Sequence, residues 1–433
     1  MNEEIQKLRL RGVYPQDSSG RLMVRVKLAA GLLDSDQAQA VARLGEQFGS
    51  GRLHLTCRGS IEFHDVRIEQ LDSLFAELER VGLTTRGACG GAVRGISCAT
   101  GFGPGFAAVQ ALAEHFTRHF AGNPEFEGLP KKFKVAIEAG YQNARHLIQD
   151  VGLVLTTGES PERRYDVWCA GGLGREPQAA IPFATGVAEN QLLPLVEAIV
   201  AVYRQHTPPP KRLKFLLNLI GEEPFRVLVA TELANRPRPV DAPPLAPAPL
   251  PFGALWVELP VFAGELPAKT FGQLAVAANE LATGVLLITS DQNIVIPLAA
   301  ESQSDRLQTR LSELGIDFDD RLTARLRVCP GNHECRMGLV ATRELAGELH
   351  DRFADHPVIG RAGSLAISGC RNSCSQPQLA GIGIMTSGLQ TGDNGERQAL
   401  FTLYRRQGDG LGQILAADLD RDQLFRRLHS LAL

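Results

Sequence analysis

Residues 22–28 read LMVRVKL and residues 255–261 read LWVELPV, and sliding the chain against itself by 233 positions lays one on the other. The same shift puts 31–33 (GLL) on 264–266 (GEL) and 51–56 (GRLHLT) on 284–289 (GVLLIT). Farther along, Ile61 meets Ile294, Phe63 meets Ile296, Leu78 meets Leu311, and 81–83 (VGL) meets 314–316 (LGI). No gap is needed over about sixty residues, the signature of an internal duplication. Each copy reads as strand, helix, strand, strand, helix. Apolar residues alternate at 22–28 and 53–64, and helical spacing runs through 35–48 and 68–81. The later part of each copy matches more loosely: a helix at 105–120 or 337–353, a strand at 132–138 or 364–368, then GLVLTTG (152–158) or GIGIMTSG (381–388). Between the copies, ANRPRPVDAPPLAPAPLP (234–251) has the composition of an extended polyproline linker.

Duplication for stability alone would keep matched positions alike. Here Arg58 in the first copy aligns with Asp291 in the second. That asymmetry points to a pseudo-twofold body with one functional site built from both halves.

The chain has 433 residues, 44% hydrophobic and 21% charged, enough for two or three domains with real cores. A net charge of −3 excludes a polybasic nucleic-acid binder, so any cationic site must be local. No window approaches the ~18 uninterrupted apolar residues of a membrane span, and MNEEIQKLRLRGV carries no apolar leader core, so a cytoplasmic protein is expected. Thiols stay reduced in that compartment, and clustered cysteines there hold metal more often than they pair.

Four of the eight cysteines fall in CPGNHEC (329–335) and CRNSC (370–374). The first pair precedes the amphipathic run Met337, Leu339, Val340, Leu345, Leu349, Phe353, so a helix N-terminus should stabilise its thiolates. The second pair follows the strand-like SLAIS on a turn containing Gly369 and Asn372. Zinc sites favour shorter Cys-x2–4-Cys knuckles, whereas a four-thiolate iron–sulfur cluster tolerates five intervening residues; zinc remains the alternative.

CPGNHEC followed by SGCRNSC resembles the signature of the sirohaem-dependent sulfite and nitrite reductase family, as do the duplicated units and RLKFLLNLIGEEPFR (212–226). The resemblance implies an α+β fold, internally duplicated, in which ferredoxin-like half-domains and mixed α/β cofactor-binding domains form a pseudo-twofold arrangement. The divisions expected are 1–83 and 252–316 for the half-domains, 84–233 for the first sirohaem and substrate domain, and 317–433 for the second. It implies that Cys329, Cys335, Cys370 and Cys374 bind a [4Fe–4S] cluster, and that Cys374 is also the axial ligand of the sirohaem iron, with Asn372 beside it. The chain departs from the family pattern at Arg371, where proline is usual, and at Ser373 and Ser375, where glycine is usual.

Sirohaem carries eight carboxylates and its substrates are anions, so the site has to gather cations. In HLTCRGSIEF (54–63) alternation places Arg58 on the face opposite Leu53, Leu55, Ile61 and Phe63. In LPKKFKVAIE (129–138) the same period sets Lys132 and Lys134 side by side, where they repel unless an anion lies between them. In GGAVRGISC (90–98) glycines let the backbone bend around Arg94. Taken alone, these could be solvated surface or protection of a sheet edge. The resemblance implies instead that Arg58, Arg94, Lys132 and Lys134 bind and protonate substrate and that Lys131 contacts the macrocycle. Lys134, where nitrite enzymes tend to have asparagine, points to sulfite. AGGLGREP (170–177) and GFGPG (101–105) make no dinucleotide loop, so electrons are expected from an external ferredoxin or flavoprotein. Cys57, Cys89, Cys98 and Cys169 read as small apolar residues lining or approaching the cofactor. A nitrite reductase, a precorrin-3B synthase-like oxygenase and a non-catalytic electron carrier are the competing readings, and the paired lysines argue against the oxygenase.

Overall fold

A computed structural model describes residues 3–101, 103–157, 163–236, 255–316, 320–353, 362–391 and 395–431; most of the proline-rich stretch lies outside them. The repeat emerges in register. Helix Ser35–Phe48 recurs as Ala268–Leu281, and strand Arg52–Leu55 as Val285–Ile288. Strand Ile61–Val66 recurs, shortened, as Ile294–Pro297. The first helix begins where Asp34 and Gln37 form a reciprocal capping box, the Asp34 carboxylate accepting from Gln37 N at 2.8 Å. Its buried residues, Ala38, Val41, Ala42 and Leu44 among them, share one core with Phe271, Leu274, Ala275 and Ala278 of the second helix. Small residues allow close approach, and Ser35 Oγ donates to Ala275 O at 3.0 Å.

Each half-domain lends the other a strand. One sheet runs, by position, Val13–Pro15, Leu22–Val26, Ile61–Val66, Arg52–Leu55, and then Glu265–Pro267 from the second copy. The other runs Trp256–Leu259, Ile294–Pro297, Val285–Ile288, and then Leu32–Asp34 from the first. Leu266 pairs with Leu53, and Leu33 with Leu286, both antiparallel. The exchange was not legible in the sequence, because alternation identifies a strand and says nothing of a partner more than two hundred residues away. The crossings use matched backbone: Ala30 and Ala263 both have φ of 53°, followed by Gly31 at 79° and Gly264 at 68°.

Each half-domain is joined to a larger sheet. Strands Ser97–Cys98, Val135–Glu138 and Val151–Thr157 are parallel, with Arg164–Cys169 and Ile181–Ala188 added antiparallel. Strands Leu326–Val328, Leu365–Ser368, Ile382–Thr391, Arg397–Arg405 and Gln413–Leu419 repeat the pattern. Among the described residues no helix is long and apolar enough to cross a membrane.

Local expectations need three corrections. The two strands expected within 53–64 are present, but they meet at a turn closed by Thr56 N to Ser60 O at 2.9 Å with Gly59 at φ 63°, so the unbroken alternation that placed Arg58 on a strand face does not hold. The helix expected from 337 begins at Thr342, leaving Met337 half exposed in a loop. The strand expected from 132 begins at Val135, preceded only by a parallel bridge between Val93 and Phe133. In each case turn geometry or tertiary pairing overrides apolar spacing.

A Cβ on Gly31 would collide with the Ile288 carbonyl, and one on Gly264 would lie 2.8 Å from Leu55 O. Gly31→Ala and Gly264→Ala should each cost roughly 2–4 kcal/mol, combining left-handed strain with a clash against backbone. Gly51→Ala, at φ 78° with open space around it, should cost less, and denaturant midpoints distinguish the cases.

Candidate active site between the two copies

Two neighbouring parallel strands bring cysteines together. Cys329 follows Leu326–Val328 and Cys370 closely follows Leu365–Ser368; Cys329 N donates to Ile367 O at 3.2 Å, and Gly369 N to Cys329 Sγ at 3.2 Å. The loop carrying Cys374 is turned by two left-handed residues, Ser373 at φ 54° and Gln376 at 61°. The two serines that depart from the family pattern are both engaged. Ser375 Oγ lies 2.7 Å from Ser368 Oγ, and Ser373 Oγ accepts from Gln378 Nε2 at 3.2 Å.

Burial raises the pKa of Cys329, Cys335 and Cys370, the last to about 11. Opposing it, amides of Gly369 and Gly331 donate to Cys329, those of Met337 and Gly338 to Cys335, and the backbone and side chain of Asn372 to Cys370. The helix expected to stabilise the first pair starts too late to do so, and loop amides take its place. Cys374 is exposed. Its charge reaches Cys329, Cys335 and Cys370, and also Lys132, Lys134 and Cys57. Cys329, Cys335 and Cys370 are raised first by burial and then by the neighbouring thiolate charge, so they suit a positively charged inorganic core that would offset both. Among the described residues no group of three or more His, Cys, Asp or Glu side chains closes around a single ion.

The first copy supplies cations. Lys132 and Lys134 flank Phe133, whose burial in the core turns both lysines to the other side. Burial lowers the pKa of both, Lys132 to about 8 with Arg212 and Arg94 adding to the effect, and Lys134 well below the ordinary lysine value, with Lys132 and Arg58 adding. Arg58 leaves its turn to donate to Gln149 Oε1 at 2.9 Å and Gly95 O at 2.6 Å. Arg94 donates to Ala88 O, and its buried Nε has no partner. Lys131 is exposed beside Lys132. Of the other cysteines, Cys57 has Cys374 among its electrostatic neighbours, whereas Cys98 and Cys169 lie in the apolar core of the first large sheet.

Sequence reasoning missed Lys27, Arg212 and Asp150. Lys27 is buried next to Arg94 and Arg58, and burial lowers its pKa to about 8. Arg212 grips the buried Asp150 at 2.6 Å, and Asp150 also accepts Lys134 N at 2.8 Å. Gly172 is glycine because a Cβ there would meet the Arg212 guanidinium at 2.5 Å. A lone lysine in an apolar strand gave no sequence signal, though Arg212 opens the RLKFLLN stretch.

A family model for the nitrite/sulfite reductase ferredoxin-like half domain matches residues 14–81, and one for the nitrite and sulphite reductase 4Fe-4S domain matches 89–237. The chain belongs to the nitrite and sulfite reductase family. It is 28% identical over 418 residues to a sulfite reductase [ferredoxin] 1 of Mycolicibacterium paratuberculosis, covering 90% of this chain and 74% of that protein. It is also 28% identical over 397 residues to a ferredoxin–nitrite reductase of Synechococcus elongatus, covering 84% and 76%. The solved structure of Mycobacterium tuberculosis NirA superposes with a TM-score of 0.81 at 22% identity, covering 97% of this chain and 84% of that one. The duplicated α+β fold is therefore that of the family. The protein is an oxidoreductase whose cofactors are sirohaem and a [4Fe–4S] cluster. The residues fit them: a surplus of buried positive charge faces the exposed thiol of the cysteine cluster.

At pH 8 roughly half of Lys132 should be unprotonated, against well under a hundredth of an ordinary surface lysine. An amine-acylating reagent applied to the cofactor-free chain at that pH should label Lys132 ahead of exposed lysines such as Lys131. Peptide mapping checks the order, and equal labelling would refute the depressed pKa.

Proposed function

We propose that the protein reduces sulfite to sulfide with six electrons taken singly from a ferredoxin, in keeping with the ferredoxin-dependent enzymes to which it is similar. The observation that carries the reading is the pair Lys132 and Lys134, with depressed pKa values, in electrostatic reach of Cys374. Cys329, Cys335, Cys370 and Cys374 would hold the cluster, with Cys374 shared with the sirohaem iron and Asn372 orienting Cys370. Lys131, Arg212 and Lys214, whose Nζ donates to Gly172 O at 3.3 Å with Arg212 as a charged neighbour, would meet macrocycle carboxylates. Bound together, the two cofactors supply stored electrons to the sulfur of an anion.

The chain's own residues must bind the dianion and protonate each departing oxygen. Arg58 and Arg94 are held by the carbonyls of Gly95 and Ala88, which aim their remaining N–H groups without cancelling their charge. They bind oxygens and stay charged. Lys132 and Lys134 release protons more readily than free lysines and suit general-acid work; an arriving anion raises their pKa and reloads them. Burial of the pair beside the Arg212–Asp150 ion pair, whose carboxylate also accepts the Lys134 N–H, would hold both at the departing oxygens.

Nitrite reduction would use the same parts, and a nitrite enzyme is as similar in sequence as a sulfite enzyme. Steady-state kinetics with each anion separates the two, and a higher kcat/KM for nitrite would replace the sulfite reading. Lys134→Ala should lower sulfite turnover on the order of 10²–10³-fold with iron content and visible spectrum retained, whereas Cys374→Ser should lose both. Lys134→Asn should shift the sulfite-to-nitrite ratio toward nitrite.

A further inference from the structure

The duplication that builds the candidate active site builds a second concave position by the same operation. Strand Leu365–Ser368 runs into the loop bearing Cys370 and Cys374, and its counterpart Val135–Glu138 runs into a loop bearing Gln142 and Asn143. Asp291 takes the position of Arg58. A cavity of about 370 Å³ opens there, lined by Gln142, Asn143, Arg145, Arg325, Arg327 and Arg406 together with Asp291 and Glu258. With no thiol in its wall, the cavity cannot repeat the cluster chemistry of its partner.

Its charge is unbalanced. Asp291 Oδ1 accepts both Arg145 Nη2 at 2.8 Å and Arg327 Nη1 at 2.9 Å, so one carboxylate serves two guanidinium groups. Burial pushes the Asp291 pKa up, and these two cations together outweigh it and hold it down at about 2. Burial raises that of Glu258 instead, weakening its hold on negative charge. Arg406 donates to the Gly410 and Asp409 carbonyls, with the Asp409 and Glu138 carboxylates as its charged neighbours. Arg145 is only 6% exposed, and its buried Nε has no partner. Four guanidinium groups outnumber the Asp291 and Glu258 carboxylates of the wall, with Glu138 acting on Arg145 and Arg406 from beside it, and the surplus makes a concave, polar, cationic surface.

We propose that this cavity is a binding site for a doubly charged oxyanion of the phosphate or sulfate class, distinct from the substrate position and independent of whether the substrate is sulfite or nitrite. Such an ion fits between Arg325, Arg406 and the free N–H groups of Arg145 and Arg327. Its occupancy reaches the other site through two bonds. Arg327 Nε donates to Ser375 O at 3.1 Å, next to Cys374, and Gln376 Nε2 donates to Cys57 O at 3.1 Å, next to Arg58. An anion that draws Arg327 away from Asp291 therefore loads the loop that carries Cys374.

The test uses holoenzyme and inorganic phosphate at low ionic strength. Because the lysine pair also attracts anions, calorimetry is run on Lys132→Ala/Lys134→Ala protein, which should retain one saturable phosphate site. Adding Arg325→Ala and Arg406→Ala should weaken that site about tenfold or more while iron content is kept; Arg325→Gln and Arg406→Gln serve if the alanine forms fold poorly. Sulfate should compete with phosphate for the same site. In otherwise wild-type protein, the arginine substitutions should abolish the phosphate dependence of sulfite KM that remains after correction for competition. Loss of all phosphate binding in the double-lysine protein, or binding unchanged by the arginine substitutions, would overturn the proposal.

Discussion

The structure depends on the burial of one half-domain against the other. The helices Ser35–Phe48 and Ala268–Leu281 lie in a single core with the strands of both copies, and each sheet is completed by a strand from the other. Neither half can close its sheet or cover its helix alone, so folding of the two is one event. That union sets the spacing of everything mounted on it. Gln292, buried and left-handed at φ 68°, bonds to Leu55 O in the first copy and to both the N–H and C=O of Val328 in the second. The residue after Val328 is Cys329, so the position of a cluster thiol is tied to the union itself.

On that scaffold the chemistry is a division of charge. The second copy offers thiols from the ends of its parallel strands, and the first offers cations from the equivalent edge of its own. The cations are held by carbonyl oxygens and amides, with Asp150 the carboxylate among them, so most of their charge is left for ligands. Keeping Lys27, Lys132 and Lys134 buried costs stability in the empty chain, since burial first, and neighbouring cations after it, lower the proton affinity of each. An anionic cofactor and substrate would remove that cost, which links loading to folding.

The pseudo-twofold relation also explains why one position differs from its mate. Arg58 and Asp291 stand at matched turns, yet one leaves a cation exposed to ligand and the other ties two arginines together. A single inverted charge converts an open cationic nest into a partly neutralised one. Duplication thus supplied two matched positions, and side-chain choice at a few residues separated their charge.

Much was legible in the linear chain. The 233-residue shift, the helix bounded by Ser35 and Phe48, the spacing of CPGNHEC and CRNSC, and the alternation of Lys132 and Lys134 around Phe133 are all local patterns, and local geometry obeys them. What no local pattern carries is long-range pairing and burial. The strand exchange, the left-handed turn that aims Arg58, the loop amides that replaced an expected helix terminus, and the recruitment of Lys27 and Arg212 depend on residues distant in sequence. The chain alone determined which side chains were available and at what intervals. Tertiary structure decided which of them share a desolvated space, because only burial converts a scattered set of lysines and arginines into mutually perturbed groups.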